Sequence, residues 1–243
     1  MNEEKLRTDI GIGVDGCPGG WVAAIYEPAA MTLRFKVVSL LKELTDEFPN
    51  AVIGVDVPIG LGHGFPRKAD ALARELLRYP RAFSVFTPPD KRLLNVRPWY
   101  AANAQSRVLT GHGLSRQSFG ILPKIEEADA LLTSMPQLRA RVVEVHPELS
   151  FWKMNNNNPM TMAKKKLAGF IERRDLLGSI FPFDSIPESR IEARRRAPGA
   201  GADDVLDAIV AAWTALRFAR GAAEVVPDCV QHDEAGLPMR IVY

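Results

Sequence analysis

The segment from residue 10 to residue 56 constrains the fold more than any other part of the chain. Its first strand alternates apolar residues with glycine and ends on a carboxylate, Asp15. The apolar patterns that follow predict two strands, a helix and a fourth strand, over 21–27, 31–39, 40–48 and 51–56. The last of these, AVIGVD, has no polar face, which is typical of a strand buried on both sides. This order predicts an α/β fold with a mixed sheet that has a parallel centre.

The rest of the chain predicts helices around that sheet. A helical insert rich in Pro, Gly and aromatic residues is expected at about 62–138, followed by a strand at 141–146. The four asparagines after residue 154 predict a flexible loop at about 153–162. A basic helix is expected at 163–177, and the clearest helical pattern runs from 203 to 220. We expect one domain over residues 1–243.

Composition excludes several classes of protein. Two cysteines, Cys17 and Cys229, cannot form a disulfide framework or a CxxC zinc site, and they suit a reducing compartment. The N-terminal residues lack the pattern of a signal peptide, and no apolar run approaches the ~18 residues of a membrane span. We therefore expect a cytoplasmic protein.

The charge of the chain is unevenly distributed. The total is 31 Lys and Arg against 29 Asp and Glu, a net charge of +2. Residues 67–117 hold ten basic and three acidic residues (+7), and residues 153–196 hold ten and five (+5). These segments are either a track for a polyanion or solvated helix faces, and the sequence leaves both interpretations open.

Carboxylates follow or lie in several of the predicted elements. Asp15 and Asp56 end strands, Glu144 lies in the strand at 141–146, and Asp204 and Asp207 share one helix face at i and i+3. If they converge they repel one another, so the cluster is tolerable only when cations occupy it. Oxygen-only ligands favour Mg²⁺ or Mn²⁺, and two such ions support phosphodiester cleavage.

Each carboxylate also has a structural interpretation. Asp15 and Asp56 fit turn positions, and Asp203 fits the N-cap of the last helix. Asp204 and Asp207 fit a favourable interaction with the helix dipole, and Glu144 fits a solvent-facing position on an edge strand.

Four motifs occur in order along the chain: GVDGCPGGW, VDVPIGL, EVHPELSF and DDVLDAIVAAW. In this order they resemble the bacterial and archaeal family of predicted RNase H-like nucleases, over roughly residues 11–216. The resemblance implies an RNase H-like domain related to the RuvC resolvases. Asp15 matches the first-strand Asp, Asp56 the fourth-strand acid, and Asp204 and Asp207 the helix pair. Glu144 is a motif position of this family without a counterpart in the resolvases.

The resemblance and the carboxylates together predict a nuclease that depends on Mg²⁺ or Mn²⁺. Asp15 and Asp207 are expected to bind or bridge metal, with Asp56 and Asp204 completing the metal ligands and Glu144 joining the catalytic set. Phosphate contacts are expected from five basic residues: Arg67, Lys68, Lys124, Lys164 and Lys165. The expected partner is DNA or RNA and not a membrane, with a homodimer left open.

Two other functions remain open at this point. One is phosphotransfer on an actin-like relative of the fold, because GVDGCPGGW faintly resembles the first phosphate motif of that class. The other is a non-catalytic module that binds nucleic acid or protein.

Overall fold

The structure is a computed structural model that describes residues 7–243. It divides into two compact units, whereas the sequence predicted one domain with an insert. Unit 1 comprises the chain up to Asp56, Ala140–Glu224 and Val242–Tyr243. Unit 2 comprises Val57–Arg139 and Val225–Ile241, so the expected insert is joined there by residues close to the C-terminus.

Residues 7–243 form seven strands and nine α-helices. The strands are β1 (Arg7–Cys17), β2 (Gly20–Glu27), β3 (Thr32–Val38), β4 (Ala51–Val55), β5 (Val142–Glu144), β6 (Val225–His232) and β7 (Pro238–Val242). The α-helices are α1 (Leu41–Glu47), α2 (Lys68–Arg81), α3 (Trp99–Thr110), α4 (Arg116–Gly120), α5 (Leu122–Ser134), α6 (Pro147–Met154), α7 (Leu167–Leu177), α8 (Arg190–Arg196) and α9 (Ala202–Ala219).

Unit 1 is built on a five-stranded mixed sheet with the order β3-β2-β1-β4-β5. The first three strands are antiparallel, while β1, β4 and β5 run parallel. The apolar run of β4 lies between β1 and β5 and is fully buried, as its lack of a polar face predicted. The predicted α/β class, with a mixed sheet flanked by helices, is therefore confirmed.

Helix α9 packs directly against the sheet because both partners are small at the contact. Gly13 of β1 faces the helix so closely that an added Cβ would lie 2.1 Å from the carbonyl oxygen of Ala208 and 2.1 Å from the amide nitrogen of Ala212. Gly54 of β4 faces the same helix near Ala211. The small alanine side chains of α9 therefore let the helix backbone approach the central strands. Larger side chains at these positions would keep the helix further from the sheet.

Replacing Gly13 with alanine is expected to destabilise unit 1 by about 1–3 kcal/mol, because the new methyl group would press on helix backbone that cannot move aside. Thermal unfolding should show a Tm lower by several degrees. Gly19→Ala is the matched control, since a Cβ there has no atom within 4 Å. Equal Tm values for the two variants would contradict this account of the packing.

The asparagine tract, predicted to lie in a flexible loop, contains a turn in which the side-chain amide of Asn158 donates to the carbonyl of Asn155 at 3.0 Å. The structure differs from the sequence prediction at two helices. Helix α7 begins at Leu167, so the lysines of 164–166 precede it. Helix α6 was not predicted, and it begins where His146 Nδ1 accepts a hydrogen bond from the amide of Leu149 at 3.4 Å.

Unit 2 contains α2–α5 and the β6–β7 hairpin. A core of Leu93, Ala102, Leu114 and Leu122 joins α3, α5 and the segments around them. Across residues 7–243, no helix has both the length and the apolarity to cross a bilayer.

Candidate metal centre

The glycines that admit α9 also determine where two carboxylates lie. Side chains alternate along a strand, so Asp15 leaves β1 on the same face as Gly13, and Asp56, just after β4, continues the row of Gly54. The parallel pairing of β1 with β4 ends at Val14 and Val55, where the Asp56 amide donates to the Val14 carbonyl at 2.9 Å. Both carboxylates therefore emerge at one edge of the sheet on the face that α9 covers.

Helix α9 supplies the third carboxylate. Gly13 of β1 lies against Ala208 of α9. Asp15 is two residues further along the same face of β1, so it lies near the first turns of the helix, which contain Asp207. Carboxylate oxygens of Asp15, Asp56 and Asp207 all lie within 4.8 Å of one another. The structure thus brings together three of the four predicted metal ligands.

Burial makes the charges of this acidic cluster costly. Asp15 is 9% exposed and Asp207 is 1% exposed. Burial, followed by the charges of Asp56 and Asp207, holds the pKa of Asp15 well above its usual range. Burial likewise raises the pKa of Asp56 to about 8, with Asp207, Glu144 and Asp204 adding repulsion that the Lys164 charge only partly offsets.

Lys164 is the cation that the structure places in the cluster. Its Nζ lies 2.5 Å from Oδ2 of Asp207, and the Asp207 charge is the main reason that the pKa of Lys164 is raised. Three ionised carboxylates and one ammonium carry −3 and +1, which leaves a charge of −2. Lys164 was predicted to contact phosphate, and in this structure it contacts the acidic cluster instead.

Asp204 bonds to the N-terminus of α9, whereas Asp207 belongs to the acidic cluster. Oδ2 of Asp204 accepts a hydrogen bond from the amide of Gly201 at 2.8 Å, which closes the N-terminus of α9. Gly201 is the N-cap residue, so the prediction that Asp203 holds this position is wrong. Asp204 is not a member of the acidic cluster, although it is close enough to raise the pKa of Asp15.

Glu144 and Glu148 lie outside the cluster as well. Glu144 is paired in register with Val55, one residue before Asp56, and its charge raises the pKa of Asp56. Glu144 is buried, so the solvent-facing interpretation of this position is wrong. The carboxylate of Glu148 accepts two hydrogen bonds from Nη2 of buried Arg173, at 2.9 and 2.8 Å.

Arg173 is a residue that the sequence analysis did not single out. Its Nη1 donates to the carbonyls of Met162 and Gly169, both at 3.0 Å, so the guanidinium holds the segment that carries Lys164. An arginine in a basic helix gives no sign from sequence that it is buried. Arg173 and Glu148 lie 25 residues apart on two different helices, so only the tertiary structure shows that they pair.

The prediction that Arg67 contacts phosphate needs correction. Arg67 is 2% exposed and forms a buried ion pair with Asp70 at 2.6 Å. Its Nη1 also donates to the carbonyls of Ile59 and Gly60, at 3.0 and 3.2 Å. These bonds fix the loop before α2 and leave the guanidinium buried.

The remaining predicted phosphate contacts lie on the surface. Lys68 of unit 2 and Lys165 of unit 1 are exposed. Lys124 is half-buried, with its Nζ 4.0 Å from Oε2 of Glu127. Among the described residues of the predicted basic set, Lys164 is the one whose charge lowers the pKa values of Asp15 and Asp56.

The donor set of the cluster fits a hard divalent cation. All three residues offer carboxylate oxygens, which Mg²⁺ and Mn²⁺ prefer. The residual charge of −2 is the charge that one divalent ion neutralises. The raised pKa values of Asp15 and Asp56 reflect the cost of ionising these groups without such an ion.

Comparison with known proteins places the chain in a sequence family. Residues 13–232 match the family described as "Protein of unknown function (DUF429)", and this match includes the whole acidic cluster together with Lys164. No curated protein and no solved structure matched the chain. Since the match covers most of its length, the chain belongs to the DUF429 family.

Proposed function

We propose that this protein is a nuclease that hydrolyses phosphodiester bonds of nucleic acid with Mg²⁺ or Mn²⁺. The observation that carries the proposal is the convergence of Asp15, Asp56 and Asp207 within 4.8 Å at one sheet edge. We also propose that unit 1 has an RNase H-like fold, which its mixed sheet, with α9 on the central strands, supports. The free cysteines support a cytoplasmic location.

The roles of the residues follow from their positions. Asp15, Asp56 and Asp207 would hold the ion, and Asp204 would keep α9 in place through its bond to Gly201. When bound, the ion supplies a Lewis acid for the phosphate and a lowered pKa for the attacking water. The side chain of Lys164 is 40% exposed, so it can leave Asp207 and donate to a phosphate oxygen.

The direct test is cleavage of single-stranded, duplex and branched DNA and RNA by the purified protein in Mn²⁺. We expect cleavage of at least one substrate, with none in EDTA. A preparation that cuts no member of the panel would refute the proposed activity.

One observation favours a second candidate, a binding module without catalysis. The Lys164 ammonium already neutralises Asp207, so part of the cluster charge is balanced without a metal ion. In that case the cluster and Lys164 would serve stability alone, and the protein would take up no divalent cation.

Replacing Lys164 with glutamine separates the two candidates. If the cluster binds metal, removal of the competing charge should tighten Mn²⁺ binding by about 3- to 10-fold, measured by titration calorimetry, while cleavage falls. Lys165→Gln is the matched control, because Lys165 is exposed and its neighbour Lys164 alone reaches the cluster. If the Lys164→Gln variant is less stable than the wild type and neither of these two proteins binds Mn²⁺, the result would favour the binding module.

A further inference from the structure

Residues 78–84 of unit 2 hold two aromatic rings side by side in solvent. Tyr79 is 81% exposed and Phe83 is 82% exposed. Their ring centroids lie 6.0 Å apart with the ring planes at 85°. Isolated apolar side chains are common on protein surfaces, but a pair of rings exposed together is typical of a contact surface.

A break in α2 presents these rings. The helix buries Ala69, Ala73 and Leu77 at regular spacing, and at Arg78 the backbone leaves the helical conformation, with φ 54° and ψ 177°. A non-glycine residue in this region costs of order 1–3 kcal/mol. The break takes Tyr79 off the buried stripe of the helix, so the ring points to solvent.

The rings lie in positively charged surroundings. Arg78 is exposed, and among residues 7–243 its side chain has neither an ion-pair nor a hydrogen-bond partner. Arg74, one turn earlier, donates to the Val85 carbonyl and the Thr87 hydroxyl. Residues 74–84 carry three arginines and one glutamate, a net charge of +2. A partner that complements this surface combines negative charge with flat apolar groups.

We propose that Arg78, Tyr79 and Phe83 form a stacking site for unpaired bases of a single-stranded nucleic acid. Stacking on aromatic rings needs free ring faces, and these rings have them. Two perpendicular rings suit bases that are splayed apart, whereas the bases of a duplex are already stacked on each other. This proposal deepens the proposed function, on which it rests for the cleavage step, by naming a single strand as the substrate class.

An anionic membrane is the competing partner for a surface with rings and arginines. A membrane-inserting surface needs a broader apolar face. Among residues 78–84, Tyr79 and Phe83 are the exposed large apolar side chains, and the segment adds no exposed large aliphatic residue. The observations therefore favour nucleic acid.

Binding of a fluorescein-labelled single strand of about 16 nucleotides, followed by anisotropy, tests the proposal. Assays in EDTA and in Ca²⁺ prevent cleavage, so a failure of the proposed nuclease activity does not affect the result. We expect the single strand to bind at least about 10-fold more tightly than its duplex, and the double variant Tyr79→Ala/Phe83→Ala to bind it at least about 10-fold more weakly. Arg78→Gln should lower the salt slope by about 0.7.

Two further variants check the role of the rings. Phe83→Trp should retain or tighten binding, because tryptophan keeps a ring face at this position. Ile191→Ala on α8, equally exposed but in unit 1, should bind as the wild type does.

Three results would overturn the proposal. They are an unchanged affinity in a folded Tyr79→Ala/Phe83→Ala variant, no binding of single strands by the wild type, and ring-dependent binding of phosphatidylglycerol vesicles with ring-independent binding of the strand. A wild-type protein that binds the single strand through the rings but cleaves nothing would refute the nuclease and leave this site standing.

Discussion

Asp15→Asn and Asp207→Asn are each expected to lower the rate of Mn²⁺-dependent cleavage by at least about 10³-fold. Each removes a carboxylate from a cluster whose oxygens lie within 4.8 Å, so the attacking water would lose much of its activation by the ion. The amide keeps the size of the side chain, which separates the loss of charge from a change in packing. Rates are to be measured under single-turnover conditions on the substrate that the panel identifies.

Asp203→Asn is the matched control for these variants. Asp203 lies in the first turn of α9 but outside the acidic cluster, so the variant should cleave like the wild type. Circular dichroism should show all three variants folded. Full cleavage by Asp15→Asn or Asp207→Asn would mean that a contaminating nuclease, or another site in the chain, carries the activity.

Asp56→Asn is expected to stabilise the metal-free protein at pH 9, on the order of 5 kcal/mol, the free-energy equivalent of the raised pKa of Asp56. The pKa of Asp56 is raised from 3.8 to about 8, mainly by burial, so between these values the folded protein holds a proton that the unfolded chain has released. The free energy of unfolding therefore falls as pH rises from about 4 to about 8 and levels off above that. Asparagine has no proton to lose, so this part of the pH dependence should disappear.

Divalent metal should narrow the difference in stability between the two proteins. An ion that binds only the folded state adds RT ln(1 + [L]/Kd) to its stability, or about 2.7 kcal/mol at 100 times Kd. The wild type should gain this in 10 mM Mg²⁺, and Asp56→Asn should gain less because it lacks one ligand. The measurement is urea unfolding at pH 5, 7 and 9, in EDTA and in Mg²⁺. Parallel pH profiles for both proteins, with no gain from Mg²⁺, would argue against a metal site.

The positions of Asp15 and Asp56 could be predicted from the sequence because local patterns carry the information. Strand periodicity places Asp15 on the face of Gly13, although β1 continues to Cys17 and does not end at Asp15 as predicted, and an unbroken apolar run gives a central, parallel β4. Carboxyl ends of neighbouring parallel strands meet at one edge, so the two residues were expected to be close. Asp207 followed from the alanine stripe of α9, which marks a helix that packs tightly on the sheet.

The separation of Asp204 from the cluster required the tertiary structure. Spacing of i and i+3 places Asp204 and Asp207 on one helix face, but it does not show which of them caps the helix. The start of α9 at Ala202 makes Gly201 the N-cap and turns Asp204 toward its amide. A shift of two residues in the N-cap, from Asp203 to Gly201, decides this, and sequence patterns do not locate helix ends that finely.

The contacts of the basic residues also could not be predicted from the sequence. Charge composition identified positive segments, and Arg67 and Lys164 both belong to them. The sequence by itself determined the sheet, its central strands and the carboxylates at their ends, because periodicity and burial are properties of neighbouring residues. Only the tertiary structure decided that Arg67 is buried against Asp70 and that Lys164 lies at Asp207, 43 residues away. Asp70 is only three residues from Arg67, but the burial of that pair depends on the surrounding fold, and the partner of Lys164 depends on which distant carboxylate folding brings within a few ångströms, a distance that no local pattern records.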